Sequence, residues 1–385
     1  MTEPEAGSLN PPVNNAVARL LNEDVARGVL PGALALEHRP RGTARICVGV
    51  HDLSTMQPMT KESLFAWDSL SKLLTAALAL TIIGDGRLRL HDEVDRWMPE
   101  LEEPRVLVSP DSSLTDTVSA VRGITVEDLL TLRGGLGFTP NFDSPIVHEL
   151  TTTLQEGPTP RTMDRFTWLK AAGDLPLVHQ PGEGWTYNTG STLLGLFLER
   201  VVGQPLDDLM NERILSPLGM HDTRWWVDQH DAHRFASRYE LSSEAKGVLK
   251  EVDAPSGVYS RPPSFPDGAS GLIGTADDLL KFAKMLINSG RYDGGQLIPR
   301  QLVAAMTTDQ LTSQQRQQAR PFLGPGEGWG YGGSVRQDGS YGWTGGLGTT
   351  VRVHTRRGEV SILLTQVALY GPGGSPTFAK YEQLD

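Results

Sequence analysis

Three segments of this chain carry side chains that could do chemistry together. The first is Ser69-Leu70-Ser71-Lys72. On a helix, residues three apart share a face, so Ser69 Oγ and Lys72 Nζ can meet. A serine in the first turn also sits at the positive end of the helix dipole, which favours an alkoxide and its acylated product. The same spacing recurs at Ser243-Glu244-Ala245-Lys246, in a polar stretch with no apolar helix after it. The first copy instead opens the apolar run 69–83, where a lysine must be paired or put to use. Taken alone, the pair reads equally well as an ordinary helix start with a snorkelling lysine.

The second segment runs from Pro181 through Tyr187-Asn188-Thr189 to Gly195. A tyrosine on a Pro/Gly-rich loop just before a helix can project into a cleft, and beside a lysine ammonium its phenol ionises more easily. Tyr187 could then take the Ser69 proton. The third segment, Tyr341 to Thr350, holds Trp343-Thr344-Gly345-Gly346 near the start of a strand. Glycines there let a substrate approach the backbone and leave an N–H free to face an oxyanion. Each segment has a plain structural reading, a loop tyrosine or a glycine-rich turn, so the weight lies on the three together.

In this order the segments resemble the serine β-lactamase and penicillin-binding-protein-like superfamily, most of all its class C-like branch, which includes the family VIII carboxylesterases. Ser69-x-x-Lys72 looks like its first motif, Tyr187-Asn188-Thr189 like its Tyr-x-Asn motif, and Trp343-Thr344-Gly345 like its Lys-Thr-Gly motif. Leu64-Phe65, 124–136, 215–223 and 270–286 look like further landmarks, and the resemblance spans roughly residues 15 to 370. It implies an acyl-enzyme on Ser69, activated by Lys72 and Tyr187, with an oxyanion hole from the backbone N–H groups of Ser69 and Gly346. Whether lysine or tyrosine is the formal base is left open.

Two departures narrow the expectation. Thr189 stands at the third position of the Tyr-x-Asn motif, as a shorter hydrogen-bonding group. Trp343 replaces the motif's lysine and removes a cation suited to the carboxylate of a β-lactam or a D-alanyl peptide. Both changes resemble the esterase branch. The leading expectation is a serine hydrolase of small or medium carboxylic esters. D-stereospecific peptidase or amidase activity, acyl transfer and weak β-lactamase activity are alternatives on the same site, and an inactive ligand-binding module is the alternative of another class. Substrate contacts are expected from Trp343, Thr344, Gly345, Thr189, Trp185 and Phe138, with Trp225-Trp226 as further aromatic candidates.

Elements that would position these groups follow from periodicity. Helical spacing predicts helices over 13–27, 69–83, 126–132, 164–172, 191–202, 206–215, 276–288 and 299–306, with Asp68 capping the second. Strand-like content over 33–38 and 44–52, around a turn at 39–42, predicts a hairpin. Further strands are expected over 330–335, 349–355 and 360–367. Strands at both ends with helices between imply an α+β architecture: a central antiparallel sheet with flanking helices and an inserted, mostly helical lobe. Residues 1–90 with 265–385 would form the sheet domain carrying Ser69, Lys72 and Trp343, and 91–264 the helical domain carrying Tyr187. The cleft between them is the expected place for chemistry.

Composition sets the outer bounds. A chain of 385 residues is long enough for two or three lobes, and 38% hydrophobic residues with 42 glycines is ordinary for a globular protein. A net charge of −11 with no compact basic run speaks against nucleic-acid and membrane partners. The single cysteine, Cys47, lies between Ile46 and Val48 and reads as buried packing. No serine has the Gly-x-Ser-x-Gly setting of an α/β-hydrolase elbow. His221, Asp222, Asp228, His230, Asp231 and His233 match no common metal-site spacing, so no metal and no cofactor are expected. The acidic, proline-bearing start lacks the pattern of a secretory signal, and the longest apolar stretch is too short to span a bilayer, so the expected location is cytoplasmic.

Overall fold

Strands β1 (Gly32–Arg39) and β2 (Gly42–Asp52) form the expected hairpin, turning at Pro40 and Arg41. A computed structural model describes residues 14–157, 159–242, 248–320, 322–369 and 375–384; the second Ser-x-x-Lys copy, Ser243-Glu244-Ala245-Lys246, lies outside them. Alternation along β1 serves two cores. Ala33 and Ala35 pack with Val17, Leu20 and Leu21 of helix α1 (Asn15–Ala26), while Leu34 and Leu36 face the main core. The same alternation turns Cys47 outward on β2 while Ile46 and Val48 point in, so the cysteine expected to be buried is exposed.

The C-terminal part supplies most of the sheet. After the short β3 (Gln57–Pro58) come β4 (Gly328–Trp329), β5 (Ser334–Val335), β6 (Tyr341–Gly345), β7 (Thr349–His354) and β8 (Glu359–Thr365). The eight strands run β4-β5-β6-β7-β8-β1-β2-β3. Their pairings are all antiparallel, and β1 meets β8 from Ala33 opposite Thr365 to His38 opposite Val360. Of the strand expected over 330–335 only Ser334–Val335 is strand, and residues 330–333 turn the chain back from β4. There Gly332 adopts φ 73, and any Cβ on it would collide with the Lys72 carbonyl oxygen, so only glycine lets the chain pass this close to the helix beneath.

Helix α2 (Ser71–Gly84) is that helix, and residues 71–82 are all buried. It is the central rod of the molecule, apolar on nearly all faces. Helix α3 (Thr189–Val202) packs on α2, and α4 (Ala276–Ile287) packs on β1, β7 and β8. Helix α5 (Pro376–Leu384) lies against α1. Between α2 and α4 the chain is largely loops joining short helices, among them Val126–Leu130, Pro145–Thr152 and Arg165–Asp174, and two small strand pairs. Asp164 caps the last of these by accepting from Phe166 and Thr167 N–H groups. No helix among the described residues is long and apolar enough to cross a membrane.

Candidate active site

Ser69 does not begin a regular α-helix. Asp68–Leu70 form one 3-10 turn that feeds into α2. Asp68 sits at φ 50, a left-handed conformation that costs a non-glycine residue energy. The expected cap is therefore not formed: the Asp68 carboxylate turns away from the helix and accepts a hydrogen bond from Gly346 N–H at 2.7 Å. The turn is held from the other side too, where Thr349 Oγ1 donates to Trp67 O at 2.9 Å. A Cβ at Gly345 would clash with that same carbonyl, so Gly345 allows the strand to seat against the turn and does not line the cavity.

Three side chains converge above this turn. Lys72 Nζ lies 3.1 Å from Ser69 Oγ, and the Tyr187 hydroxyl donates to Ser69 Oγ at 3.0 Å. Lys72 is fully buried and makes two further contacts, to Asn188 Oδ1 at 2.6 Å and Ala269 O at 2.9 Å. Burial pulls its ammonium down to about 8, against the opposing charges of Asp68, Asp267 and Glu156. Neutral Lys72 keeps two N–H donors for Asn188 and Ala269, and its lone pair then faces Ser69 Oγ. The arrangement can take a proton from the hydroxyl.

The side-chain amide beside Lys72 is that of Asn188, while Thr189, expected as a substrate contact, does not line the cavity. Thr189 is buried at the start of α3, and its hydroxyl has no partner among the described residues. Asn188 adopts φ 81, which swings its amide toward Lys72. Asparagine is one of the few side chains that tolerates positive φ, and this was the signal available in Tyr187-Asn188-Thr189. The Asn188 amide in turn donates to Glu156, which lies 3.0 Å from Arg161 Nη2. Arg161 also pairs with Asp267, whose carboxylate accepts from Thr192 Oγ1 and Ala269 N, both at 2.8 Å. This buried network fixes both acceptors of Lys72, and no local spacing announces it.

Tyr187 is placed by backbone pairing with Phe138, N–H to O at 2.9 Å in both directions. Its oxygen accepts from Trp343 Nε1 at 2.7 Å. Burial outweighs this and the Ser69 contact, so the phenol is pushed well above its ordinary range. Tyr187 is thus held as a proton donor in the resting site. Trp343, an expected substrate contact, lines the cavity, and its indole N–H orients Tyr187. Trp185 lies behind, stacked on Tyr187 with centroids 5.9 Å apart, and is buried away from the cavity.

A cavity of about 1000 Å³ opens over Ser69. Phe138, Phe142, Phe322 and Trp343 form its apolar wall, and Thr344 and Gly346 lie on its floor. Phe322 stacks on Tyr187 with centroids 4.9 Å apart. Phe142 and Phe322 carry no positional signal in the sequence, since aromatic residues are as ordinary in a core as in a cleft. Trp225 and Trp226 do not line this space. The two arginines that do, Arg336 and Arg352, both face Glu327, at 2.7 and 3.4 Å. Elsewhere, Asp228, His230 and Asp231 lie close together on the surface, with Asp231 engaged by Arg224 and Arg234.

Comparison with known proteins gives a consistent picture. The family model described as Beta-lactamase matches residues 17–375. Protein Rv1367c of Mycobacterium tuberculosis is 34% identical over 340 residues, covering 84% of this chain and 82% of that protein. Esterase EstB of Burkholderia gladioli is 29% identical over 354 residues, covering 86% and 84%. Among solved structures, "EstCE1, a hydrolase with promiscuous acyltransferase activity" superposes with a TM-score of 0.78 at 23% identity, over 96% of this chain and 98% of that one.

Proposed function

The chain belongs to the beta-lactamase family and has its α+β fold, and from that premise we propose that it is a serine hydrolase that cleaves carboxylic esters through an acyl-enzyme on Ser69. The observation that carries this reading is Ser69 Oγ within hydrogen-bond distance of both Lys72 Nζ and the Tyr187 hydroxyl, beneath an aromatic-walled cavity. Esters are favoured over β-lactams and D-alanyl peptides because Trp343 stands where a cation would bind a carboxylate, and the two cavity arginines already face two carboxylates, Glu327 and Glu382. The similarity to an esterase supports the same choice.

In the proposed reaction, neutral Lys72 takes the Ser69 proton as Oγ attacks the carbonyl carbon. The carbonyl oxygen becomes an oxyanion facing the Ser69 and Gly346 N–H groups. The C–O bond then breaks, and Tyr187 delivers a proton to the departing alcohol, its own proton being restored from Lys72. Water adds to the acyl-enzyme, releasing the acid and the free serine. Acyl transfer to an alcohol is the second reading, since the aromatic wall of the cavity could also seat an apolar alcohol as acceptor. We further assign residues 1–90 with 265–385 to a sheet domain and 91–264 to a helical domain, so that Tyr187 meets Ser69 across their junction.

Intact-protein mass after brief exposure to p-nitrophenyl butyrate, a fluorophosphonate or a penicillin tests the reading. Single adducts from the first two and little from the third are expected. No adduct on folded protein instead moves the chain to the ligand-binding module. The pH profile adds a second expectation. With Lys72 at about 8, kcat/KM for a neutral ester falls about tenfold per pH unit below that value, as the ammonium forms, and levels off above it. A flat profile from pH 6 to 9 would place the base elsewhere.

A further inference from the structure

The residue before the nucleophile occupies the place that the reaction needs. Asp68 Oδ2 lies 2.7 Å from Gly346 N and 3.5 Å from Ser69 Oγ. One oxygen atom therefore sits against the amide assigned to the oxyanion and beside the attacking atom. The side chain is buried and borders the cavity, and its backbone is in the left-handed region at φ 50, which turns the carboxylate over the glycine. Gly346 is exposed to the cavity, so the carboxylate covers a donor that would otherwise face substrate. Charge-assisted contacts of this kind are among the stronger hydrogen bonds.

We propose that Asp68 is a plug of the oxyanion hole: its carboxylate holds Gly346 N–H in the resting enzyme, and a carbonyl compound must displace it before Ser69 is acylated. The plug also sets specificity. Its negative charge remains at the reacting centre after displacement, so it selects neutral esters and disfavours acyl groups bearing a carboxylate close to the scissile carbonyl. This proposal rests on the acyl-serine reading of the site.

The test compares wild type, Asp68→Ala, Asp68→Asn and Ser69→Ala. Its readouts are the second-order rate of fluorophosphonate labelling and the affinity for phenylboronic acid, whose tetrahedral adduct places an oxygen in the hole. Asp68→Ala is expected to label at least tenfold faster and bind the boronic acid at least tenfold tighter, with Asp68→Asn in between. A purely structural role for Asp68 predicts the opposite sign, because a slack turn misplaces Ser69 and slows labelling. Rates within twofold of wild type, or slower, in both Asp68 variants overturn the plug while leaving the acyl-serine reading intact. If Asp68→Ala fails to fold, the same criterion applies to Asp68→Asn, which retains the shape of the side chain. Absence of labelling in folded wild type and in both Asp68 variants overturns the acyl-serine reading and the plug with it.

Discussion

Replacing Ser69 by alanine is expected to lower kcat for p-nitrophenyl butyrate about 10⁵-fold or more, to the level of the uncatalysed reaction assisted by binding alone. The variant removes one oxygen atom from a buried turn that Thr349, Gly345 and Gly346 continue to hold. Its far-UV circular dichroism should therefore match wild type, and its Tm should lie within a few degrees. Lys72 keeps Asn188 and Ala269 as partners, so no charge is stranded. Adding Tyr187→Phe or a Lys72 substitution to Ser69→Ala should cost almost nothing further, because groups that act as one unit are not additive. Near wild-type turnover by Ser69→Ala would refute the nucleophile assignment.

Tyr187→Phe is expected to reduce kcat about 10²-fold or more, the usual contribution of a positioned proton-transfer group. The ring keeps its stacking on Phe322 and Trp185, so the cavity wall persists and KM changes little. What is lost is the hydroxyl that donates to Ser69 and accepts from Trp343 Nε1. The orphaned indole N–H costs ~1–3 kcal/mol of stability, readable in Tm. Leaving-group dependence separates catalysis from packing. An alkyl ester, whose alkoxide needs a proton to depart, should lose more than a p-nitrophenyl ester, whose phenolate departs without one. A loss under threefold on both would move the proton shuttle to Lys72.

Much of the architecture follows from local pattern. The alternation in 33–38 and 44–52 produces the hairpin, and the predominantly apolar run 73–83, broken only by two threonines, suits a buried central helix. Where expectation failed, a tertiary contact overruled a local rule. The strand over 330–335 breaks because Gly332 must cross the Lys72 carbonyl. Cys47 is exposed because pairing register, not the apolar character of its neighbours, decides which face a strand residue takes.

The candidate site divides along the same line. The meeting of Ser69 with Lys72 is a consequence of three-residue spacing at a helix start, so the chain alone determined that pair, as it did the loss of a cation at Trp343. Everything that reaches this pair from elsewhere was decided by the tertiary structure. Tyr187 arrives from 118 residues away, through pairing with Phe138 and the Trp343 indole. Asn188 reaches Lys72 because a backbone at positive φ turns its amide inward over Glu156 and Arg161. Asp68 leaves the helix end that its type favours for the Gly346 amide 278 residues away. The physical reason is common to all three: spacing specifies which side chains share a face of one element. Backbone dihedrals and packing between elements specify which of them finally touch.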